Sequence, residues 1–204
     1  MVVERLNMNK KFYFSMFFPV ILSIFISIFF IPFLKSPLFS YSYIESTPQY
    51  PNKISSKFLW PTPGYTKITS KFGYRKSPTV GASSYHGGID VAAPQNSSIL
   101  AVDNGTVSFV GWNGANGYTV TLTHKDGYTS TYGHISPKFC VSQGEYVYKG
   151  QKIATVGPKY IDKRSFTTYI EASTGKYTNG ATTGPHLHFA ISKNGKKINP
   201  ESIF

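Results

Sequence analysis

Hydrophobic and polar positions divide the 204-residue chain into three regimes. Residues 12–34 run for 23 positions without a charge, dense in Phe and Ile, and stop at Lys35. About 20 apolar residues suffice to cross a bilayer as a helix, so this run predicts a transmembrane anchor. Residues 35–58 are rich in Ser, Pro and Tyr and keep neither a helical nor a strand period, which predicts a tether. From residue 59 the pattern changes to short alternating runs broken by Gly, Asn and Asp, as strands and turns require.

Strands are expected at 106–110, 118–124, 128–134, 152–156, 187–192 and 196–199. Lys125-Asp126-Gly127 turns the second of these back onto the third, giving an antiparallel hairpin that ends on His134. Asn194-Gly195 joins the last two. Between 157 and 184 no period is sustained, and a strand or a turn of helix near 166–172 is the one candidate element. A loop of that length in a compact domain is functional or mobile. The fold class is therefore mainly β, an antiparallel sheet in residues 59–204 preceded by one N-terminal transmembrane helix.

Arg5, Lys10 and Lys11 against Glu4 place residues 1–11 in the cytoplasm and the rest of the chain on the far side of the membrane. A cleavable signal peptide is the competing reading, but its apolar core is normally about 7–15 residues long. Ser40-Tyr41-Ser42 is also a poor cleavage site. The length favours a retained anchor.

Composition agrees with strands: 18 Gly, 13 Pro, 15 Tyr and 16 Phe. The net charge of +12 is spread along the chain, and residues 59–204 hold 15 basic and 7 acidic groups, 15 − 7 = +8. Such a diffuse field suits an anionic polymer or a membrane surface, and it equally serves as a solubility device alone. No nucleic-acid recognition motif accompanies it, so nucleic acid is not an expected partner. Cys140, the only cysteine, excludes an intrachain disulfide and a Cys-rich zinc site, and is expected to be a small buried residue.

The chemistry lies in five histidines. In Gly184-Pro185-His186-Leu187-His188-Phe189, an extended strand puts His186 and His188 on one face and Leu187 and Phe189 on the other. Alone, that pair reads equally as structural or as metal-binding. His86-Gly87-Gly88-Ile89-Asp90 adds an imidazole and a carboxylate, with two glycines that let the backbone turn closely. Two imidazoles and one carboxylate would leave a fourth tetrahedral position open, the layout of catalytic zinc. His134 closes the hairpin, and His124 within it is expected to be structural.

These segments resemble the lysostaphin-type, or LytM-type, zinc endopeptidases of bacterial cell-wall peptides. The resemblance rests on residues 85–94, 101–107, 124–128 with 132–134, and 183–189, in the family's order within about 60–204. It implies an antiparallel sheet forming a substrate groove, with zinc at its floor bound by His86, Asp90 and His188. It further implies that His134 and His186 are unliganded catalytic histidines, and that peptidoglycan peptides are hydrolysed by zinc-activated water. A non-catalytic envelope protein of the same fold, docking a partner in a division or sporulation complex, is the alternative. Two departures stand out: Ala190 replaces an acidic residue common in the family, and 157–184 is longer than the usual glycine turn.

Overall fold

A computed structural model describes residues 57–163 and 167–204. The expected anchor, all of the tether except Lys57 and Phe58, and Phe166 lie outside these residues, so the membrane segment is not addressed by them. Among the described residues no helix is long and apolar enough to cross a membrane, and helical structure is limited to short 3₁₀ turns.

The strands are β1 (Ile68–Ser70), β2 (Gly73–Tyr74), β3 (Tyr85–His86), β4 (Ile89–Val91), β5 (Ser98–Leu100) and β6 (Gly105–Trp112). They continue as β7 (Tyr118–His124), β8 (Tyr128–Gly133), β9 (Tyr146–Val147), β10 (Lys152–Thr155), β11 (Leu187–Lys193) and β12 (Lys196–Ile198). One antiparallel sheet runs β1-β4-β11-β8-β7-β6-β9, with β12 also on β11. Small two-stranded sheets pair β5 with β10 and β2 with β3.

The alternation seen in the sequence determines which face is buried. Leu187, Phe189 and Ile191 on β11 are fully buried, and so are Ile89 and Val91 on the neighbouring β4. Tyr132 on β8 lies opposite Phe189, their ring centroids 5.4 Å apart. Ile99 from β5 and Ile153 from β10 close the same core. Phe58, assigned to the tether by composition, is also buried there at 1% exposure, with its ring 5.1 Å from that of Tyr128. The opposite face of β4, β11 and β8 carries Asp90, His188 and Gly133 in register.

All six expected strands form, within a residue or two of the expected ends. The candidate strand or helix turn near 166–172 is replaced by isolated bridges, Ile170 with Tyr177 and Tyr160 with Thr178. Glu171 holds that excursion together by accepting from Lys159 Nζ at 2.5 Å, Tyr160 OH at 2.6 Å and Thr174 Oγ1 at 2.8 Å. These bonds lower its pKa to about 2. Cys140 is exposed rather than buried, because it lies on the loop between β8 and β9 and outside the alternating strands that fill the core.

His124 is structural. It is buried on the core side, its Nδ1 2.8 Å from the Asn104 carbonyl and its Nε2 2.7 Å from Ser130 Oγ, which in turn contacts Tyr132 OH at 3.0 Å. Burial lowers its pKa, against the smaller opposing effects of Asn104 and Asp103. A depressed folded pKa means that the unfolded chain takes up a proton below about pH 6.5 before the folded one does, so stability falls with pH in that window. His124→Ala, measured by urea unfolding at pH 7.5 in the presence of chelator, is expected to cost about 1–3 kcal/mol through the unpaired groups it leaves. The cost is expected to shrink at pH 5.5; a cost that grows there contradicts the assignment.

Candidate metal centre

The sheet brings all five predicted site residues to one cleft of about 630 Å³. Strand β4 carries Asp90, β3 carries His86, and β11 carries His188 directly across from Asp90. His186 precedes β11 and His134 follows β8. Gly88 makes the approach feasible: a Cβ there would lie 3.0 Å from His188 Cε1 and from Ala190 Cβ, and closer still to the Phe189 carbonyl. The loop between His86 and Asp90 could not otherwise press against β11.

Three donor atoms face one another. His86 Nε2 lies 3.0 Å from His188 Nδ1 and 3.1 Å from Asp90 Oδ1, and His188 Nδ1 lies 2.9 Å from the same oxygen. His86 Nδ1 donates to the Lys71 carbonyl at 2.9 Å, so its Nε2 presents a lone pair inward. A proton between His188 and the carboxylate satisfies one edge of this triangle and leaves the others as lone pair against lone pair. A cation satisfies all three at once. For zinc bonds of about 2.0–2.1 Å the edge of a tetrahedron is about 3.3 Å, slightly longer than the edges here. Imidazole and carboxylate donors, with no sulfur, suit zinc. His86, Asp90 and His188 could therefore hold a metal ion.

Arg75, not singled out by the sequence, orients the carboxylate. Its Nη1 donates to Asp90 Oδ2 at 3.0 Å and also to Ser70 Oγ, leaving Oδ1 turned to the imidazoles. Ser70 is opposite Asp90 in the β1–β4 register. Burial alone would raise the Asp90 pKa, but bonds from His186, His188 and His86 outweigh it and hold the carboxyl far below its usual range. Burial lowers the His188 pKa despite the facing carboxylate.

The remaining histidines lie beside this triangle. His134 and His186 have ring centroids 4.7 Å apart, and His134 is 6.1 Å from His188. His134 has a left-handed backbone (φ 55°), an uncommon state for a residue with a side chain. Asn179 is fully buried and supports it: its carbonyl accepts from His134 Nδ1 at 2.7 Å, and its side chain bridges Tyr118 N and the Ile135 carbonyl at 2.9 Å each. His186 Nδ1 donates to the Gly184 carbonyl at 2.9 Å, while its Nε2 stands 3.5 Å from Asp90 Oδ1. No spacing rule in the sequence marks Arg75 or Asn179, since both act from loops across long separations.

Residues 84–200 match the model of Peptidase family M23. The DD-carboxypeptidase/endopeptidase Mpg of Neisseria meningitidis is 37% identical over 139 residues, covering 68% of this chain and 27% of that protein. The murein hydrolase activator NlpD of Escherichia coli is 32% identical over 147 residues, covering 71% and 30% respectively. The chain thus spans less than a third of the length of either relative. A solved zinc-containing peptidase from Vibrio cholerae superposes with a TM-score of 0.53 at 29% identity, covering 69% of this chain and 37% of that one.

Zinc that binds only the folded state stabilises it by about 2.7 kcal/mol at a hundredfold excess over Kd. The unfolding temperature of the wild type is expected to rise with added zinc and that of His188→Ala to stay flat. Arg75→Gln is expected to weaken zinc binding about 10–100-fold in a competition titration, since it frees the carboxylate to rotate. Unchanged affinity contradicts the orienting role.

Proposed function

The chain belongs to Peptidase family M23, and on that premise we propose that it is a zinc-dependent endopeptidase that hydrolyses peptide bonds in a cross-link or stem peptide of bacterial peptidoglycan. The observation that carries this reading is the donor triangle of His86, Asp90 and His188 on an open cleft, with two more imidazoles within reach of the same point. Zinc held there would supply a Lewis acid for the scissile carbonyl and a water that ionises near neutral pH.

The side chains themselves handle the protons. His134 donates its Nδ1 proton to Asn179, so its Nε2 is bare and is suited to take a proton from the attacking water. Burial, followed by the neighbouring imidazoles, puts its pKa well below the usual 6.5, so it is neutral at pH 7. The proton it takes then goes to the leaving amine. His186 differs because its Nε2 lies 3.5 Å from Asp90 Oδ1 while its Nδ1 proton goes to the Gly184 carbonyl, so donation from Nε2 requires the imidazolium. It is assigned to donate a hydrogen bond to the developing oxyanion.

The proposal extends to location. Residues 12–34 anchor the protein in the cell membrane, residues 35–58 tether it, and residues 59–204 work on the cell-wall side. The uncharged run and its positive N-terminal flank support this topology. A second reading, a docking protein for an envelope partner, is favoured by the similarity to NlpD, which is named a murein hydrolase activator.

Incubating the purified, zinc-loaded protein with peptidoglycans of several peptide chemistries, and labelling new amino termini, separates the two. Cleavage is expected, with His134→Ala lowering the rate at least about 100-fold while retaining zinc. Because the base must be unprotonated, wild-type kcat/KM is expected to fall on the acid side through an apparent pKa below 6.5. No cleavage of any wall by zinc-loaded protein would favour the docking reading.

A further inference from the structure

The charges around the cleft are one-sided. Its charged lining residues are Arg75, Lys76, Lys197 and a single carboxylate, Asp90. Asp90 is already committed to Arg75 and the imidazoles. Lys76 and Lys197 are exposed, and among the described residues neither has an ion-pair or hydrogen-bond partner. Other surface lysines do find such partners: Lys57 bonds Asp126 at 2.7 Å and Lys159 bonds Glu171 at 2.5 Å.

Lys197 reaches this rim from β12. Its stem lies over Gly87, so that a Cβ at Gly87 would come within 2.5 Å of Lys197 Nζ and 2.6 Å of its Cδ. The ammonium thus lies over the residue next in sequence to His86. Lys76 follows Arg75 out of β2 on the hairpin wall of the cleft. A divalent cation bound by one carboxylate, itself shared with a guanidinium, leaves excess positive charge at the floor. Two unpaired ammonium groups on the rim add to it. That arrangement is self-repelling until an anion enters.

We infer that the cleft selects peptides carrying a free carboxylate beside the scissile bond, and that Lys197 and Lys76 are the residues that read it. The inference rests on the peptidase reading and names the substrate class within it: acidic peptides, discriminated from the same peptides with carboxamides. The discrimination comes from Coulomb attraction on a partly open surface, so it weakens with salt over the range in which the Debye length shrinks below about 10 Å.

The test uses the full chain, zinc-loaded, with two probes: a cross-linked stem peptide with free carboxylates, and the same peptide with those groups converted to carboxamides. Binding is followed by calorimetry and cleavage by chromatography. Wild type is expected to bind and cleave the carboxylate form better. Lys197→Gln and Lys76→Gln are each expected to remove about fivefold of that preference while leaving the carboxamide peptide and zinc content unchanged. A preference that survives in the double variant means that the metal or Arg75 reads the carboxylate, and overturns the inference. Equal handling of both peptides by wild type, or binding of neither, also overturns it. Cleavage without preference leaves the hydrolase standing and sinks only the selectivity; preferential binding without cleavage does the reverse.

Discussion

The site depends on the register of β11 between β4 and β8. His188 lies opposite Asp90 on one side and Gly133 on the other, while Phe189 lies opposite Ile89 and Tyr132. Since successive side chains point to opposite faces, a slip of one residue would turn His188 into the core and Phe189 into the cleft. The apolar half of the alternation thus enforces the polar half. Leu187, Phe189 and Ile191 are fully buried, and exposing each would cost about 1.5–3 kcal/mol.

Register places the rings, and backbone carbonyls set their protons. Lys71, Asn179 and Gly184 each accept from the Nδ1 of a histidine: His86, His134 and His186. Each bond commits a proton to Nδ1 and turns Nε2 toward the cleft, bare on His86 and His134 and as the proposed donor on His186. Arg75 does the corresponding work for Asp90 by occupying one carboxylate oxygen. The geometry of the donor atoms and the placement of these protons are therefore properties of the fold.

Much of this was legible in the residues. The H-x-H pair in an apolar run gave the shared face, the alternation around residues 118–134 gave the hairpin, and the glycines beside His86 gave the close approach. His124 lies on the core side, as its place inside the hairpin implies. What was not legible came from loops and short strands. β1 to β5 and β9 have at most three residues each, too few to carry a period. The excursion between 157 and 184 is held by Glu171 and its three donors rather than by alternation. Arg75 and Asn179 contact residues far away in sequence, and an exposed Cys140 follows from a loop position that composition does not reveal. Phe58 has a tether's neighbours and a core residue's burial.

The central claim is that one sheet register brings two imidazole nitrogens and one carboxylate oxygen to a single point, a donor set that would hold one zinc ion in the proposed enzyme. X-ray absorption at the zinc edge of the loaded protein tests it most directly. The expected result is four nitrogen or oxygen neighbours at about 2.0–2.1 Å, with outer-shell scattering from two imidazoles and no sulfur. A sulfur neighbour near 2.3 Å, a third imidazole, or a six-coordinate oxygen shell would contradict it.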